Sequence, residues 1–181
     1  MDYDSLIRNW HLKASDEDYF SKFMFEYLAY IAFLRKKKFR NVNGTEQRVI
    51  QMLKADTTLR DLYLNKISPR SELRKSWKKI KDELAVSPLG DVSGGQDIPD
   101  EVRWWNCSHT EMNQRTLQEE RKRVGVIHSY NDWENMIQFW TAIRHNMFHG
   151  GKDPQNNRDK LLVQHGYATL RPLVEILLAQ G

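Results

Sequence analysis

Residues 132–152 read DWENMIQFWTAIRHNMFHGGK and contain the pattern that decides the fold class. Large apolar side chains recur at three- and four-residue spacing, the period of an α-helix with one buried face. The glycine pair at 150–151 then predicts the end of that helix. We therefore expect a helix over about 132–148 with a polar last turn. Its predicted core positions are Trp133, Met136, Ile137, Trp140 and Ile143.

The same period recurs through most of the chain. We expect a helix that begins at Asp16-Glu17-Asp18 and ends in the cationic run at 35–38. Thr45 is expected to cap the next helix, and Ser68-Pro69 to start a basic one. Further helices are predicted around 59–64, over 110–124 and from about 157 to 179. With almost no strand signal, the sequence predicts an all-α bundle of four to five long helices with short accessory helices.

Length and composition predict one folded domain over 1–181. The chain of 181 residues is 40% hydrophobic and 11% aromatic, enough for one sizeable core. Proline, glycine and serine at 87–100 predict a loop that we expect to be flexible. The lone Cys107 excludes an intramolecular disulfide framework. No stretch approaches the roughly 20 apolar residues of a membrane span, so we expect a cytoplasmic protein without a membrane partner.

Clusters of positive charge suggest a polyanionic partner. The net charge is only +4, but Lys and Arg gather in runs at 35–40, 70–81 and 121–123. Solvated helix faces are the simpler interpretation of any one run, whereas three runs in a small domain favour nucleic acid. The candidate RNA-binding residues are Arg35, Lys36, Lys37, Lys38, Arg121, Lys122, Arg123 and Lys152.

The polar turn at 144–149 has three interpretations. Arg144, His145 and His149 near a helix C-terminus oppose its dipole, so the role could be purely structural. His145 and His149 have the spacing of a helical metal-binding pair, but zinc needs three or four ligands. Thirdly, an always-charged guanidinium beside a group that titrates near neutrality suits phosphodiester chemistry without a metal. On an ideal helix Arg144 and His149 lie about 140° apart, so that chemistry needs the helix to end near His149.

The stretch Arg144-His145-Asn146-Met147-Phe148-His149 resembles the R-x(4–6)-H signature of the HEPN superfamily (higher eukaryote and prokaryote nucleotide-binding domains). In that signature a polar residue follows the arginine, as His145 does here. The signature lies late in a long helix, followed by glycine and one more long helix, and the family fold is an all-α bundle. Residue identity extends over about 144–150, and the resemblance in architecture over roughly 15–180.

The resemblance implies a metal-independent endoribonuclease that needs no cofactor. In such enzymes two protomers dimerise so that both motifs line one cleft, and cleavage leaves 2′,3′-cyclic phosphate and 5′-hydroxyl ends. Carried over, His149 is the general acid or base, Arg144 holds the phosphate, His145 orients or polarises the group beside them, and Asn146 hydrogen-bonds within the site. A buried polar role at the helix end suits Asn146 equally well.

The resemblance also leaves the biological role open. Some members are toxins neutralised by an antitoxin or another regulatory protein, and some act in antiviral defence. Others have lost activity and serve as nucleic-acid- or protein-binding modules. An inactive helical binding module is therefore the alternative to the ribonuclease.

Overall fold

The computed structural model describes residues 2–14, 18–42, 45–87, 89, 125–149 and 151–180. This part of the chain contains seven α-helices and no strand, which confirms the predicted all-α class. The predicted helix over 110–124 and nearly all of the predicted loop at 87–100 lie outside the described residues. The helices are α1 (Tyr3–Lys13), α2 (Tyr19–Phe33), α3 (Glu46–Ala55), α4 (Thr57–Leu64), α5 (Glu72–Val86), α6 (Trp133–Phe148) and α7 (Asn157–Gln180).

Helix boundaries follow local capping. Asp18 begins α2 by accepting the backbone N–H groups of Phe20 and Ser21, at 2.9 and 3.3 Å. At its other end α2 continues into one π-helical turn, Leu34–Lys38, which is the predicted cationic run. Thr45 stands at the N-cap of α3, although its side chain makes no capping hydrogen bond.

The predicted start of the basic helix at Ser68-Pro69 is wrong. Helix α5 begins at Glu72, and its N-cap is Ser71, whose hydroxyl accepts the N–H of Arg74 at 3.1 Å. The backbone N–H and the hydroxyl of Ser71 both donate to the carbonyl of Ser68, so the Ser68-Pro69 pair forms a turn before the helix. Two serines were available as caps, and the second satisfies a helical N–H group.

Helix α7 packs against α2 and α5, and α1 packs against α2. Gly166 permits a close approach of α7 to α2. A Cβ atom at Gly166 would lie only 3.3 Å from Cε2 of Phe23 on α2, so a larger residue would crowd that ring.

A buried aromatic network holds α6 in place. The Tyr63 hydroxyl donates to the Thr169 carbonyl at 2.6 Å and accepts from Trp77 Nε1 at 2.9 Å. Trp140 Nε1 donates to Thr169 Oγ1 at 3.0 Å. The rings of Tyr63 and Trp140 meet edge to face with centroids 5.7 Å apart. These contacts join α4, α5, α6 and α7, so they fix the position of α6 in the bundle.

Candidate functional site

The candidate site lies at the C-terminal end of α6. The helix ends at Phe148, and His149 is its C-cap with φ −92° and ψ 12°. The N–H of His149 donates to the carbonyl of His145 at 3.0 Å, and the N–H of Gly151 donates to the carbonyl of Asn146 at 2.7 Å. The chain thus leaves helical geometry at His149, as the glycine pair predicts, and the His149 side chain is exposed.

Arg144 is half-buried and its guanidinium is directed toward this helix end. Its central carbon lies 4.5 Å from the ring centroid of Phe148, one turn further along α6. Its Nη2 atom lies 3.5 Å from Oε2 of Glu46, and its side chain is 27% exposed. A cation held in this way, still partly open to solvent, can contact an incoming phosphate.

Glu46 is a residue of this site that sequence reasoning missed. It is the first residue of α3, where a carboxylate is favoured by the helix dipole alone. In the fold its Oε1 also accepts the hydroxyl of Tyr27 at 2.9 Å. Burial, together with the negative charge of Glu46, holds the pKa of Tyr27 well above its usual value. The tyrosine therefore remains a neutral donor, and Glu46 is positioned between it and Arg144.

The other two predicted catalytic residues differ in exposure. His145 is half-buried beside Arg144, near the negative end of the α6 dipole. Asn146 is 3% exposed. A group so enclosed supports the structure of the helix end more readily than it contacts a substrate. Arg144, His145 and His149 are thus the members of the predicted set with solvent-accessible surface.

The first basic run is only partly available to a ligand. Lys37 Nζ lies 2.5 Å from Asp4 Oδ1, and Lys38 Nζ lies 3.1 Å from Asp56 Oδ2. Lys36 Nζ lies 4.9 Å from the ring centroid of Tyr3. Arg35 and Lys36 are exposed. These surface pairs are weak, about 0–1 kcal/mol each, so a polyanion can displace them.

Lys152 is positioned away from solvent. Its ammonium donates to Asp159 Oδ1 at 2.6 Å, and the Lys152 side chain is only 4% exposed. The other oxygen of Asp159 accepts the N–H of Asp153 at 3.0 Å. Lys152 thus holds the α6–α7 loop against α7, and it is not part of the proposed RNA-contacting surface. The third basic run, Arg121, Lys122 and Arg123, lies outside the described residues.

Within the described ranges, no three His, Cys, Asp or Glu side chains cluster in a way that could hold a metal ion. None of the described helices is long and apolar enough to span a membrane. Comparison of the chain with family models, curated proteins and solved structures yields no match.

Proposed function

We propose that the protein is a metal-independent endoribonuclease whose active site is the C-terminal end of α6. The observation that carries the proposal is the exposed His149 at the point where α6 ends, with the partly exposed guanidinium of Arg144 directed toward the same end. A proton-transfer group and a fixed cation are the two components that this reaction requires. The resemblance to the HEPN signature supports the same assignment.

The proposed reaction is an internal transesterification. The ribose 2′-hydroxyl loses its proton and attacks the adjacent phosphorus, and the bond from phosphorus to the 5′-oxygen breaks. The leaving oxygen takes up a proton, so the products carry 2′,3′-cyclic phosphate and 5′-hydroxyl ends. His149 transfers one of the two protons, and Arg144 stabilises the negative charge that builds on the phosphate. Glu46 acts as a positioning residue for Arg144.

The same proposal includes a homodimer in which two α6 ends line one cleft. Phe148 is 61% exposed beside His149 and supplies an apolar surface for such a contact. Arg35, Lys36 and Lys38 are the exposed members of the first predicted RNA-binding run, and we propose that they attract RNA in a salt-sensitive way. A role as a toxin or antiviral effector, held in check by an antitoxin or another regulatory protein, rests on the family resemblance alone.

The test is cleavage of total RNA in excess EDTA. Wild-type protein should release fragments with 2′,3′-cyclic phosphate ends, and Arg144→Ala and His149→Ala should each lower the rate at least about 10²-fold. His165→Ala is the matched histidine control, since His165 lies on α7 against Ser76 of α5. Equal cleavage by all four proteins would refute the assignment.

A second candidate, an inactive binding module, rests on the contact between Arg144 and Glu46. Arg144 lies 3.5 Å from a Glu46 carboxylate oxygen and stacks on Phe148, so its role can be purely structural. On this hypothesis the purified protein binds RNA without cutting it. Arg144→Ala then lowers the free energy of unfolding and leaves RNA affinity unchanged.

A further inference from the structure

Two glycines follow His149 directly, so the local chain does not fix the position of this residue. Glycine has the largest backbone freedom of any residue. Helix α6 has also ended at this point, since His149 is its C-cap. A proton-transfer group contributes only while it stays within hydrogen-bond reach of the reacting oxygen, about 2.6–3.2 Å. Contacts further along the chain must therefore hold His149 in place.

An enclosed ion pair begins three residues after His149. Lys152 Nζ donates to Asp159 Oδ1 at 2.6 Å, and the two side chains are 4% and 12% exposed. The second carboxylate oxygen accepts the N–H of Asp153 at 3.0 Å. Exposed ion pairs exchange readily with water, whereas an enclosed pair with both oxygens hydrogen-bonded has one favoured geometry. The pair thus fixes the backbone at 152–153 against the first turn of α7.

The first turn of α7 is itself held in place. Asn156 Oδ1 caps the helix by accepting the N–H groups of Arg158 and Asp159 at 2.9 and 3.1 Å. Arg158 Nε donates to Glu83 Oε1 of α5 at 3.0 Å. Its Nη2 donates to the carbonyl of Ser87, the residue that follows α5. Asp159 therefore lies on a turn that is bound to the end of another helix.

The stretch between α6 and this ion pair is short. On the α6 side, the N–H of Gly151 donates to the carbonyl of Asn146 in the last turn of the helix, at 2.7 Å. From His149 to Lys152 the chain can span at most about 11 Å. Few bonds therefore separate the His149 backbone from the point that Asp159 fixes. In an active site, a misplacement of about 1 Å can lower the rate about 10²-fold.

We infer that Lys152 and Asp159 are positioning residues for the proposed reaction, because their ion pair holds His149 at the helix end toward which the Arg144 guanidinium is directed. This inference rests on the proposed function. The ammonium of Lys152 is too enclosed to contact RNA, and a carboxylate already neutralises its charge. Loss of the pair should therefore lower kcat, which depends on His149, and leave KM, which reflects contacts with RNA, nearly unchanged.

The test measures kcat and KM for RNA cleavage by Lys152→Met in excess EDTA, at a temperature where circular dichroism shows the protein folded. Methionine keeps an unbranched side chain but cannot donate to Asp159. We expect kcat to fall about 10- to 10²-fold while KM stays within about twofold of the wild type. Lys54→Met is the matched control, because Lys54 is also buried and its Nζ donates to Gln138 Oε1 at 3.0 Å, away from the α6–α7 loop. This control should retain the wild-type kcat.

A second measurement does not depend on cleavage. The ring C–H signal of His149 in a proton–carbon NMR spectrum is identified by its loss in His149→Gln. This signal should shift or broaden in Lys152→Met and stay unchanged in Lys54→Met. The double variant Lys152→Met/Asp159→Asn should show the same kcat and the same signal as Lys152→Met. It remains informative if the single variant does not fold, because it removes the buried carboxylate that Lys152→Met leaves unpaired.

A folded Lys152→Met protein with the wild-type kcat would overturn the inference and leave the proposed ribonuclease intact. An increase in KM alone would mean that Lys152 contacts RNA, and would also overturn it. An equal loss of kcat in Lys54→Met would do the same, since the effect would then be a general loss of rigidity. Absence of cleavage by the wild type would refute the proposed function instead. The His149 signal would then decide whether the pair holds that residue, and an unchanged signal in Lys152→Met would show that it does not.

Discussion

Replacing Tyr63 by Phe removes one oxygen atom from the core and should cost more than most single substitutions. The ring stays in place, with its edge toward Trp140 at a centroid distance of 5.7 Å. The lost hydroxyl accepted from Trp77 Nε1 at 2.9 Å and donated to the Thr169 carbonyl at 2.6 Å. Tyr63, Trp77 and Thr169 are all fully buried, so water cannot replace the missing partner.

The magnitude follows from the group left behind. The carbonyl of Thr169 lies within α7 and keeps its helical partner, whereas the buried N–H of Trp77 loses its acceptor. A buried polar group without a partner costs about 1–3 kcal/mol, so we expect Tyr63→Phe to lower the free energy of unfolding by about that amount. In a chain of this size 1 kcal/mol shifts Tm by about 2–4 °C, so Tm should fall by roughly 2–12 °C.

The assay is urea denaturation followed by circular dichroism, with thermal melts alongside. Tyr19→Phe is the matched control, because the Tyr19 side chain is exposed and its loss of a hydroxyl should change stability by less than about 0.5 kcal/mol. The double variant Tyr63→Phe/Trp77→Phe should be less destabilised than the sum of the single variants, because the indole N–H that would be orphaned is gone. A Tyr63→Phe protein as stable as Tyr19→Phe would refute the hydrogen-bonded network as a source of stability.

Three further predictions concern single residues. Glu46→Gln, which retains the Tyr27 acceptor but removes the charge near Arg144, should lower RNA cleavage about tenfold, whereas Glu72→Gln, at the same position of α5, should leave the rate unchanged. Gly166→Ala should lower the free energy of unfolding by about 1 kcal/mol in urea titrations, because the new methyl group crowds the buried Phe23 ring by more than the gain in helix propensity offsets. A more stable variant would show that the Phe23 ring can shift. Burial raises the pKa of the Glu26 carboxyl above its usual 4.5, so its ionisation at higher pH disfavours the folded state. The Tm of Glu26→Gln relative to that of the wild type should therefore increase as pH rises above 4.5. A Tm difference that does not change with pH would contradict this.

Helix α2 shows which buried residues the apolar pattern predicts and which it does not. Apolar residues recur in α2 at three- and four-residue spacing, which predicts one buried face along Phe20, Phe23, Met24, Tyr27, Leu28, Ile31 and Leu34. Phe23, Tyr27 and Leu34 are indeed buried, but Leu28 is 39% exposed. Glu26 is completely buried instead, with Oε1 2.8 Å from Nδ1 of His11. A periodicity argument assigns a glutamate to solvent, and only the packing of α1 against α2 provides the partner that encloses it.

Some residues of the candidate site could likewise be predicted from the sequence, and others could not. The order arginine, histidine, asparagine, histidine and glycine along one helix end is visible in the sequence, and the glycine pair predicts where α6 stops. Glu46 lies 98 positions before Arg144 and has no local feature that links the two. Lys152 and Asp159 lie only seven residues apart, yet their enclosed contact depends on how the loop folds onto α7.

The sequence by itself predicted the helical class and approximate position of α2 to α7, because helical period, capping residues and glycine stops act within one or two turns; it did not predict α1. It also determined that Arg144 and His149 share a helix end. The tertiary structure alone decided which charges were enclosed and which remained exposed. It brought Glu46 to Arg144 and buried Glu26. These outcomes depend on contacts between helices distant in the chain, whose favourable packing must exceed the entropy lost in bringing them together.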